Sequence, residues 1–240
     1  MMAEPLEARA IQRNDCEYPL FLMDALGRDA PQKLEWLGNL ALLSRPSVGF
    51  CGSRKASPKG LDTAADCAAQ AAESHIVVVS GYAAGVDEVA HFQALKNKGS
   101  TIIVLPEGIT HFRIRRGLRA VWNWDRVLVL SQFSGEERWQ SFRAMARNKV
   151  IIGLSDAMIV IEAGETGGTM DAGRSTLRYG RPLFVAQYED VTQDAIGNKH
   201  LLEIGAKPLN RLRSTGRANM EPVWSTFGAR DAGPRQKAIF

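Results

Sequence analysis

Short apolar runs recur along the chain, separated by longer stretches of mixed polarity. The runs are SVGFC (47–51), HIVVVSG (75–81), STIIVLP (100–106), DRVLVLS (125–131), AMIVIEA (157–163) and PLFVA (182–186). They are rich in Val and Ile and apolar at successive positions, so neither face is set aside for water. Strands of that kind are buried on both faces, as in a parallel sheet covered by helices. The intervening stretches have helical character. Residues 57–74 are Ala-rich with Pro58 near the start, 85–99 close on Gly99, 138–155 are amphipathic, and 167–180 close on Gly180. The repeated strand–helix alternation predicts an α/β fold with a doubly wound, mostly parallel sheet of extended Rossmann-like type.

The pattern changes at both ends. Residues 1–44 read as a lead-in of short helix and loop ahead of the first sheet strand. Residues 45–210 form the Rossmann-like body. Residues 211–240 are rich in Gly, Pro and Arg without periodicity, which predicts a basic, loosely ordered tail with Trp224 and Phe227 docking on the body. No internal repeat is visible.

At 240 residues the chain suits one well-buried α/β domain. No apolar run approaches the about 20 residues of a membrane span, and the N-terminus has no apolar signal core. Three cysteines (Cys16, Cys51, Cys67) in no metal or redox spacing read as reduced thiols of a cytoplasmic protein. The charge is uneven: residues 205–240 hold seven Lys/Arg against two Asp/Glu, which leaves residues 1–204 at −1. A basic tail suits a polyanionic partner, and equally a solubilising role.

Ligands of open α/β sheets bind beyond the carboxyl ends of the strands. Here those ends carry small and basic residues: Gly52, Ser53, Arg54 and Lys55 after the first strand, the SGYAAG turn with Gly81 after the second, and Gly167, Gly168 and Thr169 after the fifth. Backbone N–H groups and helix N-termini converging there favour phosphate. The dinucleotide pattern GxGxxG is absent, Glu73 closes a helix instead of a strand, and no GxxxxGK[ST] occurs. The sequence therefore argues against NAD and ATP, and no cofactor is expected.

Other groups surround this rim. Asp87 and His91 share a helix face, as an acid/base pair or metal ligands would. With four histidines and none in ligand spacing, the expected roles are structural: Asp87 bracing the turn and His91 hydrogen-bonding beneath the rim. Glu162 closes a buried strand, where a carboxylate needs a partner; Arg147 or loop N–H groups are the expected ones. Arg143 and Arg147 share a helix face, with Asn148 and Lys149 beside them. Arg113, Arg115, Arg116 and Arg119 are interleaved with Phe112, Trp122 and Trp124. That mixture suits a single strand, since Arg neutralises phosphates and rings stack on bases, but burial of the rings in a core explains it as well.

The order of the motifs resembles the DNA-processing family known as DprA or Smf. YPLFL and APQKLEWLGNLALL are similar to its lead-in, VGFCGSRKASPKG to its first phosphate turn, and VVSGYAAGVDEVAHFQAL to its Ser-Gly-x-Ala-x-Gly-Ile-Asp-x-x-Ala-His helix, with Val86 for Ile. GSTIIVLPEGI, ARNKVIIGLSDAMIVIEA, TGGTMDA, YGRPLFVA and GNKHLLEIGA complete the order. The resemblance implies a non-enzymatic protein that binds and protects single-stranded DNA, helps load a RecA-type recombinase and dimerises. It assigns DNA phosphates to Gly52, Ser53 and Arg54, helped by Arg147 or Lys149. No catalytic or metal-ligating set is implied.

The chain also departs from the family pattern. Gln132 replaces an expected acid after the fourth strand, Asp171 stands near a usual Thr, His111-Phe112-Arg113 replaces a Tyr-Pro, and Gln187-Tyr188 replaces a Pro-Gly. No winged helix is expected after the body. Two other readings stay open. One is a phosphoribohydrolase of nucleoside monophosphates, since GGTMDAG is similar to the Lonely Guy loop but short of one glycine and of the closing glutamate. The other is a nucleotide-binding sensor, for instance in phage defence.

Overall fold

The computed structural model describes residues 7–188 and 195–227. Among these residues nine strands form one sheet: β1 (Arg9–Gln12), β2 (Lys33–Gly38), β3 (Ser47–Cys51), β4 (Val77–Ser80), β5 (Thr101–Val104), β6 (Val127–Ser131), β7 (Ala157–Val160), β8 (Leu183–Ala186) and β9 (Lys207–Leu209). Their order is β1-β2-β6-β5-β4-β3-β7-β8-β9. From β6 to β9 every pairing is parallel; β1 and β2 are antiparallel.

The helices are α1 (Leu20–Leu26), α2 (Pro58–Glu73), α3 (Val86–Lys96), α4 (Ser141–Leu154), α5 (Gly168–Arg178), α6 (Ile196–Glu203) and the short α7 (Glu221–Trp224). They cover both faces. Val77 and Val79 belong to the buried cluster that includes α1, α4, α5 and α6, while Val78 between them belongs to the one that includes α2 and α3. This two-sided burial accounts for the unbroken apolar runs. In α2, Ala64, Cys67, Ala68 and Ala71 form the buried stripe. Ser57 caps the same helix by accepting the Gly60 N–H at 3.0 Å, with Pro58 in the first turn.

Two expectations about the ends are corrected. The lead-in is part of the sheet: β2 pairs along β6 with Trp36 opposite Leu130, and β1 pairs along β2. Lys33 and Glu35 alternate with Leu34 and Trp36, and the two charged residues pair at 2.8 Å. A short alternating edge ribbon carries far less hydropathy signal than a buried strand.

The described part of the tail is likewise ordered. Asp66 accepts the Ala218 N–H at 2.6 Å and Arg217 Nε at 2.8 Å, Arg217 also pairs with Glu73 at 3.1 Å, and Arg211 donates to Thr63 at 2.9 Å. Met220 and Val223 are buried, and Trp224 and Phe227 pack edge to face against the α2–α3 side. Long-range ion pairs to α2, which no local pattern announces, hold this segment. Residues 228–240 lie outside the described residues.

The crossovers change sides of the sheet at β3 and β7. From β3 the chain crosses through α2 to β4, whereas from β7 it crosses through α5 to β8 on the other side. The loops leaving β3 and β7 diverge and open a crevice between them. Among the described residues, no helix is long and apolar enough to cross a membrane.

Candidate functional site

A cavity of about 540 Å³ occupies this crevice. The end of β3 contributes Cys51, Gly52, Ser53 and Arg54; the turn after β4 contributes Gly81 and Ala83, with Asp87 from α3. The first half of α4 forms another wall, with Trp139 just ahead of it, and Gly164, Thr166, Gly168 and Thr169 close the fourth side. Three of the glycine-bearing turns singled out in the sequence thus meet around one space.

Glycine is needed where these parts touch. A Cβ on Gly52 would lie 2.5 Å from Val86, so the end of β3 rests directly on the start of α3. A Cβ on Gly81 would overlap the Arg147 guanidinium. Gly85, which precedes α3, has φ +80 and sits against the Ser53 carbonyl, a conformation and an approach that an L side chain does not allow.

Arg147 is the central charge. It is 6 % exposed and projects from α4 into the cavity wall. Nη1 donates to the Val104 carbonyl at 2.9 Å, Nε has no hydrogen-bond partner, and the guanidinium makes no ion pair among the described residues. Burial lowers its pKa and nearby Arg54 pushes the same way, while Asp87 and Cys51 oppose the shift. An arginine nonetheless stays charged. Arg54 stands exposed at the mouth, its guanidinium 5.9 Å from the centre of the Trp139 ring. Ser53 Oγ accepts the Lys55 N–H at 3.0 Å and sets the turn.

The supporting residues have defined partners. Asp87 accepts the Ala83 N–H at 3.2 Å and shapes the turn after β4. His91 is fully buried, with Nε2 at 2.6 Å from the Gly81 carbonyl and Nδ1 at 2.6 Å from Thr101 Oγ1. Burial lowers its pKa to about 4, so the ring is neutral near pH 7. The Gly81 carbonyl can only accept, which places a proton on Nε2, while the Thr101 hydroxyl donates its own proton to the Val78 carbonyl at 2.9 Å. Glu162, 1 % exposed, accepts the Ser57 N–H at 2.8 Å and the Ser57 hydroxyl at 2.5 Å. It braces the start of α2, not Arg147. The Cys51 thiol is pushed up to about 12, mainly by burial, and stays protonated.

Some other expected site residues lie apart. Lys149 is turned away to pair with Asp29 at 3.2 Å, and Lys55 and Gly167 flank the cavity without lining it. Gly167, at φ +101, forms the turn into α5. Asn148 lines the cavity and donates to the Gly168 carbonyl at 3.4 Å. Arg143 is spent on Glu137 at 2.5 Å. Phe112 is buried, and Trp122 and Trp124 pack around it half-buried.

Sequence reading missed Trp139 and Met145, which line the cavity while 48 % and 46 % exposed. The available signal was the surplus of apolar residues in α4. Val150, Ile152 and Leu154 already supply a core face, leaving Phe142 and Met145 outside it. Among the described residues, no cluster of His, Cys, Asp and Glu is suited to a metal ion.

The arrangement is similar to known proteins over most of its length. The chain is 35% identical over 195 residues to the DNA processing protein DprA of Streptococcus pneumoniae, covering 81% of this chain and 68% of that one. Against DprA of Bacillus subtilis it is 29% identical, covering 80% and 65%. The crystal structure of the S. pneumoniae protein superposes with a TM-score of 0.75 at 32% identity, covering 85% of this chain and 71% of that one. DNA processing protein A from Helicobacter pylori, a structure concerned with its single-stranded DNA binding mode, gives 0.71 at 27% identity, covering 85% and 91%. The family model for DNA recombination-mediator protein A matches residues 9–217. With that match running from β1 to the segment just before α7, the chain belongs to the DNA recombination-mediator protein A family.

Proposed function

We propose that the β3–β7 cavity binds the backbone of single-stranded DNA and that the protein acts by binding, without chemical turnover. The observation that carries this reading is Arg147, a buried cation with no ion-pair partner among the described residues, aimed into a glycine-rimmed cavity with Arg54 at its mouth. Burying an unpaired charge is costly, and a phosphate in the cavity would offset that cost through charge-assisted hydrogen bonds. The exposed Trp139 and Met145 beside the cations suit bases on the same strand. The H. pylori relative's single-strand binding mode supports the choice of ligand. A hydrolytic reading has less to work with, because the Glu162 carboxylate is committed to Ser57.

Family membership extends the proposal to protecting single strands in recombination or DNA uptake, to loading a RecA-type recombinase, and to a homodimer as the working form. Binding of labelled oligothymidylate tests the core of the reading. With about four phosphates engaged, affinity is expected to fall about 50-fold between 50 and 200 mM salt. No binding at low salt would overturn the proposal. Release of free base from nucleoside monophosphates above a heat-treated control would favour the phosphoribohydrolase reading in its place.

A further inference from the structure

A second group of arginines and rings lies just beyond the cavity. An open cleft of about 430 Å³ is lined by Phe112, Arg113, Ile114, Arg119 and Trp124. Tyr82 connects it to the cavity: its neighbours Gly81 and Ala83 line the cavity, and its ring packs 5.4 Å from Phe112, which lines the cleft. The Tyr82 hydroxyl accepts the Arg115 N–H at 2.9 Å and donates to the Arg113 carbonyl at 3.1 Å. Arg115 lies over the Tyr82 ring at 4.4 Å and donates to the Ala83 carbonyl at 3.0 Å. One tyrosine and its covering arginine therefore tie the turn that lines the cavity to the segment that lines the cleft.

The charges in this region divide into two kinds. Arg115 is balanced by Glu88 at 3.2 Å. Arg113, Arg116 and Arg119 are exposed and make no ion pair among the described residues. Arg113 Nη1 is held by the Thr110 and Phe112 carbonyls at 2.8 and 2.7 Å, which orients the guanidinium without neutralising it. Trp124 meets Trp122 edge to face at 5.0 Å, and part of its ring lies against Gly38. A ring cluster made only for packing would not need an open cleft edged by arginines without acidic partners.

We propose that this cleft is a second nucleotide subsite, which takes the continuation of a single strand bound in the cavity. Phosphates would face Arg113 and Arg119, and a base would lie against the aromatic wall, as cations and rings combine in other single-strand grooves. The inference rests on the function proposed for the cavity.

The test compares oligothymidylates of about 6 and about 20 nucleotides, spanning the usual range of site sizes, on the full chain. For the Arg113→Ala/Arg119→Ala double variant, affinity for the long strand is expected to fall about tenfold, with a salt slope shallower by about 1.4. Affinity for the short strand is expected to be unchanged. Arg119→Glu alters an exposed side chain alone and is expected to reproduce the loss on the long strand. Unchanged long-strand affinity and slope in both variants would overturn the subsite while leaving the cavity proposal standing. Equal losses on both lengths would also overturn it, by assigning these arginines to the first site. A wild type that binds neither length would overturn the cavity proposal and the subsite with it.

Discussion

Both sides of the seam between β3 and β7 bury a charged side chain, and they treat it differently. On the α2 side, Glu162 meets a backbone N–H and a hydroxyl of Ser57, which itself caps α2. On the α4 side, Arg147 donates to the Val104 carbonyl, and among the described residues it has no ion pair and no acceptor for Nε. The first charge is satisfied from within the fold and belongs to its stability. The second is not, and faces a cavity that can admit an anion. Buried charge by itself therefore says little about function; the state of its partners separates scaffold from site.

Substitutions can break this contrast, and the largest effect falls on the satisfied side. Glu162→Ala removes the acceptor for two Ser57 donors and is expected to cost about 3 kcal/mol. That corresponds to a fall of about 10 °C in Tm for a chain of this size, with oligonucleotide affinity retained in the folded protein. Calorimetry and anisotropy on one sample check both halves. Arg147→Met should behave in the opposite way. Affinity for a short oligonucleotide falls about 100-fold, and Tm stays level or rises, because an unpaired buried cation is replaced by an apolar side chain of similar length.

His91 sharpens the scaffold side through pH. Its pKa is lowered from 6.5 in the unfolded chain to about 4 in the folded one. The unfolded state therefore binds the extra proton between those values. The contribution is complete above about 6.5 and is lost as pH falls towards 4. From pH 7 to pH 5 the stability gap between the wild type and His91→Gln is expected to narrow by about 2 kcal/mol. Denaturant melts at the two pH values read this, and a constant gap would show that His91 is not held neutral. The smallest effect belongs to Arg54→Ala at the exposed mouth. Oligonucleotide affinity is expected to fall about tenfold, with no change in Tm.

The sequence made the central sheet legible because parallel strands buried on both faces leave unbroken Val/Ile runs, as in β4 with Val77, Val78 and Val79. It also marked the glycine turns around the cavity, since Gly52 and Gly81 stand where other chain segments press close. The edge ribbon was hidden because Lys33 and Glu35 dilute the pattern of β2. The fate of Lys149 was illegible for another reason: its partner Asp29 lies far away in sequence, and only the fold brings the two together. Trp139 and Met145 were hidden within 138–155, a stretch that reads as amphipathic without telling which of its apolar residues stay exposed. Exposed apolar residues acquire meaning only when the structure shows what they border.

The decisive question is where on the protein a bound strand lies, and hydroxyl-radical footprinting with mass spectrometry measures location directly. Trp139 and Met145 are exposed and readily oxidised at the cavity, while Leu20 and Leu212 are exposed elsewhere and serve as references. Saturation with a short oligothymidylate is predicted to protect Trp139 and Met145 and to leave Leu20 and Leu212 unchanged. Unaltered oxidation of Trp139 and Met145 in a protein saturated with the strand would contradict the account.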